Sequence, residues 1–90
     1  MSEMLFTERG WADYVYWEKQ DRKTLSRINQ LLQSIGREGV LDGSGHPERM
    51  RYKTDAYSRR IDSKNRLIYK YESENDRVII ESCRGHYDDK

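Results

Sequence analysis

The apolar residues change their spacing once along this chain, at a loop over residues 36–47. Before the loop they recur every three or four residues, and after it they alternate. Leu25, Ile28, Leu31, Leu32 and Ile35 form a stripe of period 3.6, with Asp21 placed to cap its start. Gly36 and Gly39 can end that helix. An earlier helix is predicted after Thr7-Glu8, a capping residue followed by an acid that suits the helix dipole. Trp11, Tyr14 and Val15, spaced by three and four, are expected on one face of it. Only a few residues around Gln20 and Asp21 join the two helices, which makes them an antiparallel hairpin. Residues 2–6, ending in Leu5-Phe6, are a candidate edge strand.

Beyond the loop, Tyr57–Ile61, Arg66–Tyr71 and Arg77–Arg84 read as strands. Turns at Asp62–Asn65 and Glu72–Asp76 separate them. Glu48–Lys53 is a candidate further strand. Short turns between consecutive strands favour an antiparallel meander. The expected fold class is α+β, with a two-helix hairpin packed on one face of a twisted, mainly antiparallel sheet. Alternation assigns Leu67, Tyr69 and Tyr71 to the helices, and Arg66, Ile68 and Lys70 to an open face.

Length and composition narrow the class. The chain has 90 residues, 34% apolar and 37% charged, which fits one domain, residues 1–90, with a thin core. Aromatic residues make up 11%, too many for a disordered chain. No run approaches a membrane span or a secretory leader, so a cytoplasmic protein without a membrane partner is expected. The single cysteine, Cys83, cannot form an internal disulfide and is assigned to packing.

The formal charge is only +1, but it is unevenly placed. Residues 49–70 hold eight cations (Arg49, Arg51, Lys53, Arg59, Arg60, Lys64, Arg66 and Lys70) against Asp55 and Asp62. Tyr52, Tyr57, Tyr69 and Tyr71 interleave with them. That pattern suits a phosphate backbone with unstacked bases, and equally a solvated charged sheet.

The groups able to do chemistry are few. Gly43-x-Gly45 lacks the context of a nucleotide loop. Cys83-x-x-His86 offers two ligands where a structural zinc needs four, so no metal or other cofactor is expected. RNA cleavage needs none, because the 2′-hydroxyl is its own nucleophile. A carboxylate base, an arginine for the phosphate and a histidine acid suffice. Arg66 and His86 fit the last two roles, whereas Glu48, Glu72 and Glu81 all remain open for the base on these grounds.

Taken in order, the strings along the chain narrow this further. They are Phe6-Thr-Glu8, Trp11-Ala-Asp-Tyr-Val-Tyr-Trp17, Gln20-Asp-Arg-Lys23, Arg27-Ile-Asn-Gln-Leu-Leu32, Gly43-x-Gly-x-Pro-Glu48, Tyr57-Ser-Arg-Arg-Ile61, Asn65-Arg-Leu-Ile-Tyr69 and Cys83-Arg-x-His-Tyr87. Together they resemble the YoeB/Txe toxins, a branch of the RelE superfamily of bacterial mRNA interferases. The resemblance implies an endoribonuclease that enters the ribosomal A site on the 30S subunit, against rRNA, and cuts the mRNA there. It implies a YefM/Phd-type antitoxin, DNA contact only through that antitoxin complex, and homodimers. It places the general base on Glu48, the phosphate-stabilising cation on Arg66 and the general acid on His86, with Tyr87 beside it. Arg51, Lys53, Arg59 and Arg60 become RNA-binding candidates, the Arg59-Arg60 pair in RNA binding or local structure. The alternative on the same fold is a non-catalytic, ParE-like toxin that binds a protein target.

The chain departs from the family pattern at four places. His46 stands where a lysine is usual, Met50 where a leucine is usual, and Gly85 where a bulky residue precedes the histidine. Asp88-Asp89-Lys90 continues past the usual last residue and is expected to favour protonated His86.

Overall fold

The computed structural model describes residues 3–51 and 55–85. In chain order the elements are β1 (Glu3–Phe6), α1 (Glu8–Gln20), α2 (Arg22–Glu38), β2 (Glu48–Arg49), β3 (Ala56–Arg60), β4 (Arg66–Glu72) and β5 (Arg77–Ser82). A single 3-10 turn, Ser73–Asn75, joins β4 to β5. The five strands form one sheet in the order β1-β5-β4-β3-β2. All neighbours are antiparallel except β1, which lies parallel to β5 at the edge. The α+β architecture therefore stands as expected. The candidate strand over 48–53 forms as the two-residue β2, and Tyr52 and Lys53 lie outside the described residues.

Both helix starts use the predicted caps. Thr7 Oγ1 accepts from the Gly10 amide, and Asp21 Oδ1 accepts from the Lys23 and Thr24 amides. Asp21 also accepts from the Thr24 hydroxyl, which leads the bonds that hold its carboxyl below the usual range. Helix α2 runs through Gly36 and stops at Gly39. Its stripe of Ile28, Leu31 and Ile35 packs with Leu67, Tyr69, Val78, Ile80 and Cys83 into the main core. Tyr71 joins that core from its rim, so the predicted facing of β4 holds.

Helix α1 turns the side of Gly10 and Asp13 to the sheet. Gly10 and Asp13 are buried, with Trp17 one turn on against the core, whereas Trp11 is 54% exposed. The cause is Gly10. A β-carbon there would collide with the carbonyl of Ile80 on β5, so the helix seats that face against the strand. Trp11 is left stacked on Tyr14 at the surface, their rings 13° from parallel.

The opposite sheet face is not uniformly polar. Met50 folds back over Ala56 and Ile68 to make a second, small apolar cluster. The amide of Met50 donates to the carbonyl of Ala56 and fixes that return.

Candidate functional site

Register places Glu48 of β2 opposite Ser58, Ser58 opposite Ile68 and Ile68 opposite Ser82. Directly opposed residues share a sheet face, so Glu48 lies on the face that also carries Arg66 and Lys70. Arg66 sits two strands across and two residues along, a Cα offset of roughly 10 Å by 7 Å from strand geometry. The Glu48 side chain is 58% exposed, and His46 Nε2 lies 3.5 Å from its Oε2. The base candidate is therefore solvent-facing, with the His46 imidazole as its neighbour.

Arg66 opens β4 directly opposite Arg60, which closes β3. Its Nη1 donates to the carbonyls of Asp62 at 2.6 Å and Asn65 at 3.1 Å. Among the described residues, Nε and Nη2 make no hydrogen bond. That edge of a guanidinium is the one that can grip an oxyanion with two parallel bonds. The turn beneath is an Asx turn, as Asp62-Ser-Lys-Asn predicts. Asp62 Oδ1 accepts from the Lys64 amide at 2.8 Å and the Asn65 amide at 2.7 Å. Desolvation opposes ionisation of Asp62. The Lys64 and Asn65 bonds and the Arg66 charge outweigh it, and the carboxyl is held below its usual value.

The third segment arrives beside Arg66. The Arg66 amide donates to the Gly85 carbonyl at 3.0 Å, and the Gly85 amide donates to Asn65 Oδ1 at 2.8 Å. From the other side, α1 holds Cys83. Asp13 Oδ2 accepts from its amide at 3.0 Å, and Trp17 Nε1 donates to its carbonyl at 2.8 Å. Arg84 stacks on the Tyr16 ring, 3.7 Å from its centroid. Residues 83–85 are thus tied to α1 and to the β3–β4 turn at once. His86 and Tyr87 follow Gly85 in sequence and lie outside the described residues. Asp13, Trp17 and Asn65 were not singled out from sequence. Their signals are a carboxylate and an indole spaced along a helix face, and an Asn closing a turn, and none of these looks like chemistry.

Cys83 packs in the core, and its thiol is pushed up to about 12 by burial, with Asp13 adding to the effect. It is packing, as expected, and not a nucleophile. Among the described residues no group of three or more His, Cys, Asp or Glu could hold a metal ion. Also among them, no helix is long and apolar enough to cross a membrane.

One candidate RNA contact is corrected. Arg59 has no exposed surface, because its side chain points from β3 into the helix side of the sheet. Of the two roles open to it, it takes the local structural one. Arg60, one residue on, is exposed on the opposite face. Arg49 also leaves the open face and lies over the Tyr57 ring. Arg51 is exposed just past β2, and Lys53 lies outside the described residues.

The chain matches the YoeB-like toxins of bacterial type II toxin–antitoxin systems over residues 6–87. It is 43% identical over 83 residues to the toxin YoeB of Streptomyces coelicolor, covering 91% of this chain and 95% of that one. The solved YoeB dimer of Staphylococcus aureus superimposes with a TM-score of 0.87 at 38% identity, over 96% of this chain and 98% of that one. The YoeB–YefM complex from the same organism matches with a TM-score of 0.85 at 36% identity, over 97% and 99%. Match, identity and fold agree over nearly the whole length: the chain belongs to the family of YoeB-like toxins of bacterial type II toxin–antitoxin systems.

Proposed function

We propose that this toxin is a ribosome-dependent endoribonuclease that cleaves mRNA in the A site by metal-free acid–base chemistry. The observation that carries the reading is that Glu48 and Arg66 share one sheet face and that the segment leading to His86 is tied beside Arg66. Glu48 arrives on β2, Arg66 at the start of β4, and Gly85, the residue before His86, on the Arg66 amide. In this scheme Glu48 takes the 2′-hydroxyl proton and the 2′-oxygen attacks the adjacent phosphorus. The free edge of Arg66, with Arg60 opposite, holds the non-bridging oxygens as charge builds. His86 gives a proton to the leaving 5′-oxygen, and the products are a 2′,3′-cyclic phosphate and a 5′-hydroxyl. Tyr87 stands beside the acid in sequence and completes the set.

The protein would work in the cytoplasm on the 30S subunit, with Arg51, Lys53 and Arg60 meeting mRNA or rRNA. A YefM-type antitoxin is its proposed inhibitor, since a similar toxin is solved in complex with YefM. A homodimer is proposed on the parallel of the S. aureus dimer.

The test is a defined translation reaction with mRNA 5′ ends mapped by primer extension. Cuts at the A-site codon are expected, absent without ribosomes. Glu48→Ala and His86→Gln should each slow them about 10²-fold or more, the usual range for acid–base groups. Growth arrest that persists with His86→Gln and no cuts would overturn the reading in favour of a protein target.

A further inference from the structure

We infer that Arg59 is a positioning residue for the catalytic carboxylate: its buried guanidinium shapes the glycine loop that delivers Glu48. The inference rests on the endoribonuclease reading above. Arginine has five N–H donors, and all five of Arg59 are used. Nε donates to Tyr69 Oη at 2.9 Å. Nη1 donates to Ser34 Oγ at 3.1 Å and to the Ser44 carbonyl at 2.8 Å. Nη2 donates to the carbonyls of Gly39 and Asp42, both at 2.7 Å. Three carbonyls of one loop thus converge on one side chain. Tyr69 adds a fourth anchor by donating to the Val40 carbonyl at 2.6 Å.

No carboxylate forms an ion pair with Arg59 among the described residues. Burying a cation with only dipoles around it is costly, and packing alone would be served better by an apolar side chain. What the cation does here is hold the loop oxygens inward. It does so immediately before the site. The carbonyl of Gly45 accepts from the Arg60 amide at 2.7 Å, and β2 begins at Glu48, three residues later. Gly45 sits at φ +86°, with Leu31 and Arg59 where a β-carbon would go. The loop is therefore fixed on three sides. Strand β2 itself has two residues, both exposed, and beyond its own short pairing Met50 ties it down on its C-terminal side. Met50 fixes Glu48 from the far side, and the loop, shaped by Arg59, fixes it from the near side.

The test is a double-mutant cycle on A-site cleavage, with rates scaled to the folded fraction from circular dichroism. A base displaced by about 1 Å can cost on the order of 10²-fold, so Arg59→Met should lower kcat 10- to 100-fold with KM little changed. In a Glu48→Ala background Arg59→Met should cost almost nothing further. Equal losses in both backgrounds would overturn the inference, since a merely structural role is indifferent to Glu48. If Arg59→Met does not fold, Ser34→Ala carries the same cycle. It removes the acceptor shared by Arg59 Nη1 and the Ser44 amide, and a smaller loss that still depends on Glu48 is expected. Amide exchange gives a readout independent of activity. Ser44 and Arg60 should lose protection in the Arg59 variant, or Ser44 in the Ser34 variant; unchanged protection overturns the inference alone. Cleavage that ignores Glu48→Ala would instead overturn the role of Glu48 as base, and the inference with it, whereas a toxin that makes no cuts would overturn the endoribonuclease reading.

Discussion

Arg60 and Arg66 stand directly opposite each other across β3 and β4, two cations on one face of the sheet. Like charges so placed repel, by a few tenths to about 1 kcal/mol. A bound phosphate would turn that repulsion into attraction. Arg60→Gln should therefore stabilise the free protein by up to about 1 kcal/mol in urea unfolding. The same change should weaken RNA binding and reduce its salt dependence by about one counterion. A variant less stable than the parent, with unaltered salt dependence, would show that the pair is not a phosphate site.

Trp17 and Asp13 hold Cys83 from within α1, far in sequence from the segment they fix. Trp17→Phe keeps a ring of similar breadth but loses the indole donor. A cost of about 1–2 kcal/mol is expected from the orphaned carbonyl and the smaller side chain. Asp13→Ala leaves the buried amide of Cys83 unpaired and should cost about 1–3 kcal/mol. Both should also slow cleavage beyond the loss of folded protein, because the strap from Cys83 to Gly85 is freed at one end. Thermal melts paired with cleavage rates decide it: full activity per folded molecule would confine both residues to stability.

The Cys83 thiol gives the protein an alkaline limit. Burial raises its folded pKa from an ordinary 9.0 to about 12. The folded state thus prefers the neutral thiol. Its contribution is complete below the unfolded value and is lost as pH rises toward the folded one. Between pH 9 and 12 stability should fall by up to about 1.4 kcal/mol per unit from this group. Cys83→Ala should flatten that slope while lowering stability at neutral pH. A thiol reagent should label the folded protein only as fast as it opens.

Asp62 works at the acid end with the opposite sign. Its folded pKa is lowered, so its contribution is present above about pH 4 and is lost as pH falls through the lowered value. Asp62→Asn should make urea midpoints less sensitive to pH below about 4. An acid limb as steep as the parent's would mean the turn is held without that carboxylate.

Much of this was legible in the chain because local rules act locally. Thr7 and Asp21 cap helices wherever they stand, and the Asp62 turn closes with its own side chain. The α2 stripe and the facing of Leu67 and Tyr69 follow from periodicity alone. What the chain does not show falls where a distant partner decides. Trp11 is the more apolar choice for a buried helix face, yet Gly10 wins because only glycine lets α1 meet the Ile80 carbonyl. Arg59 and Arg60 are the same residue twice, and alternation sends one into the core and the other to solvent. A sequence of adjacent cations carries no mark of which is which until β3 is paired. Met50 likewise reads as a mild replacement, and only its return over Ala56 and Ile68 shows that it covers part of the open face.

The parallel pairing of β1 with β5 has a consequence for how the chain comes off its own ribosome. Residues 3–6 must wait for residues 77–80 before their strand has a neighbour. Helix α1 waits as well, since Thr7 and Gly10 seat against Ile80. The long closure makes this a late step in folding. Arg66 and the Glu48 loop can be synthesised and paired earlier, but the Gly85 strap comes after β5. The nascent chain therefore cannot assemble the face proposed to cut RNA while most of it is still being made. Topology alone delays that face until synthesis is nearly done.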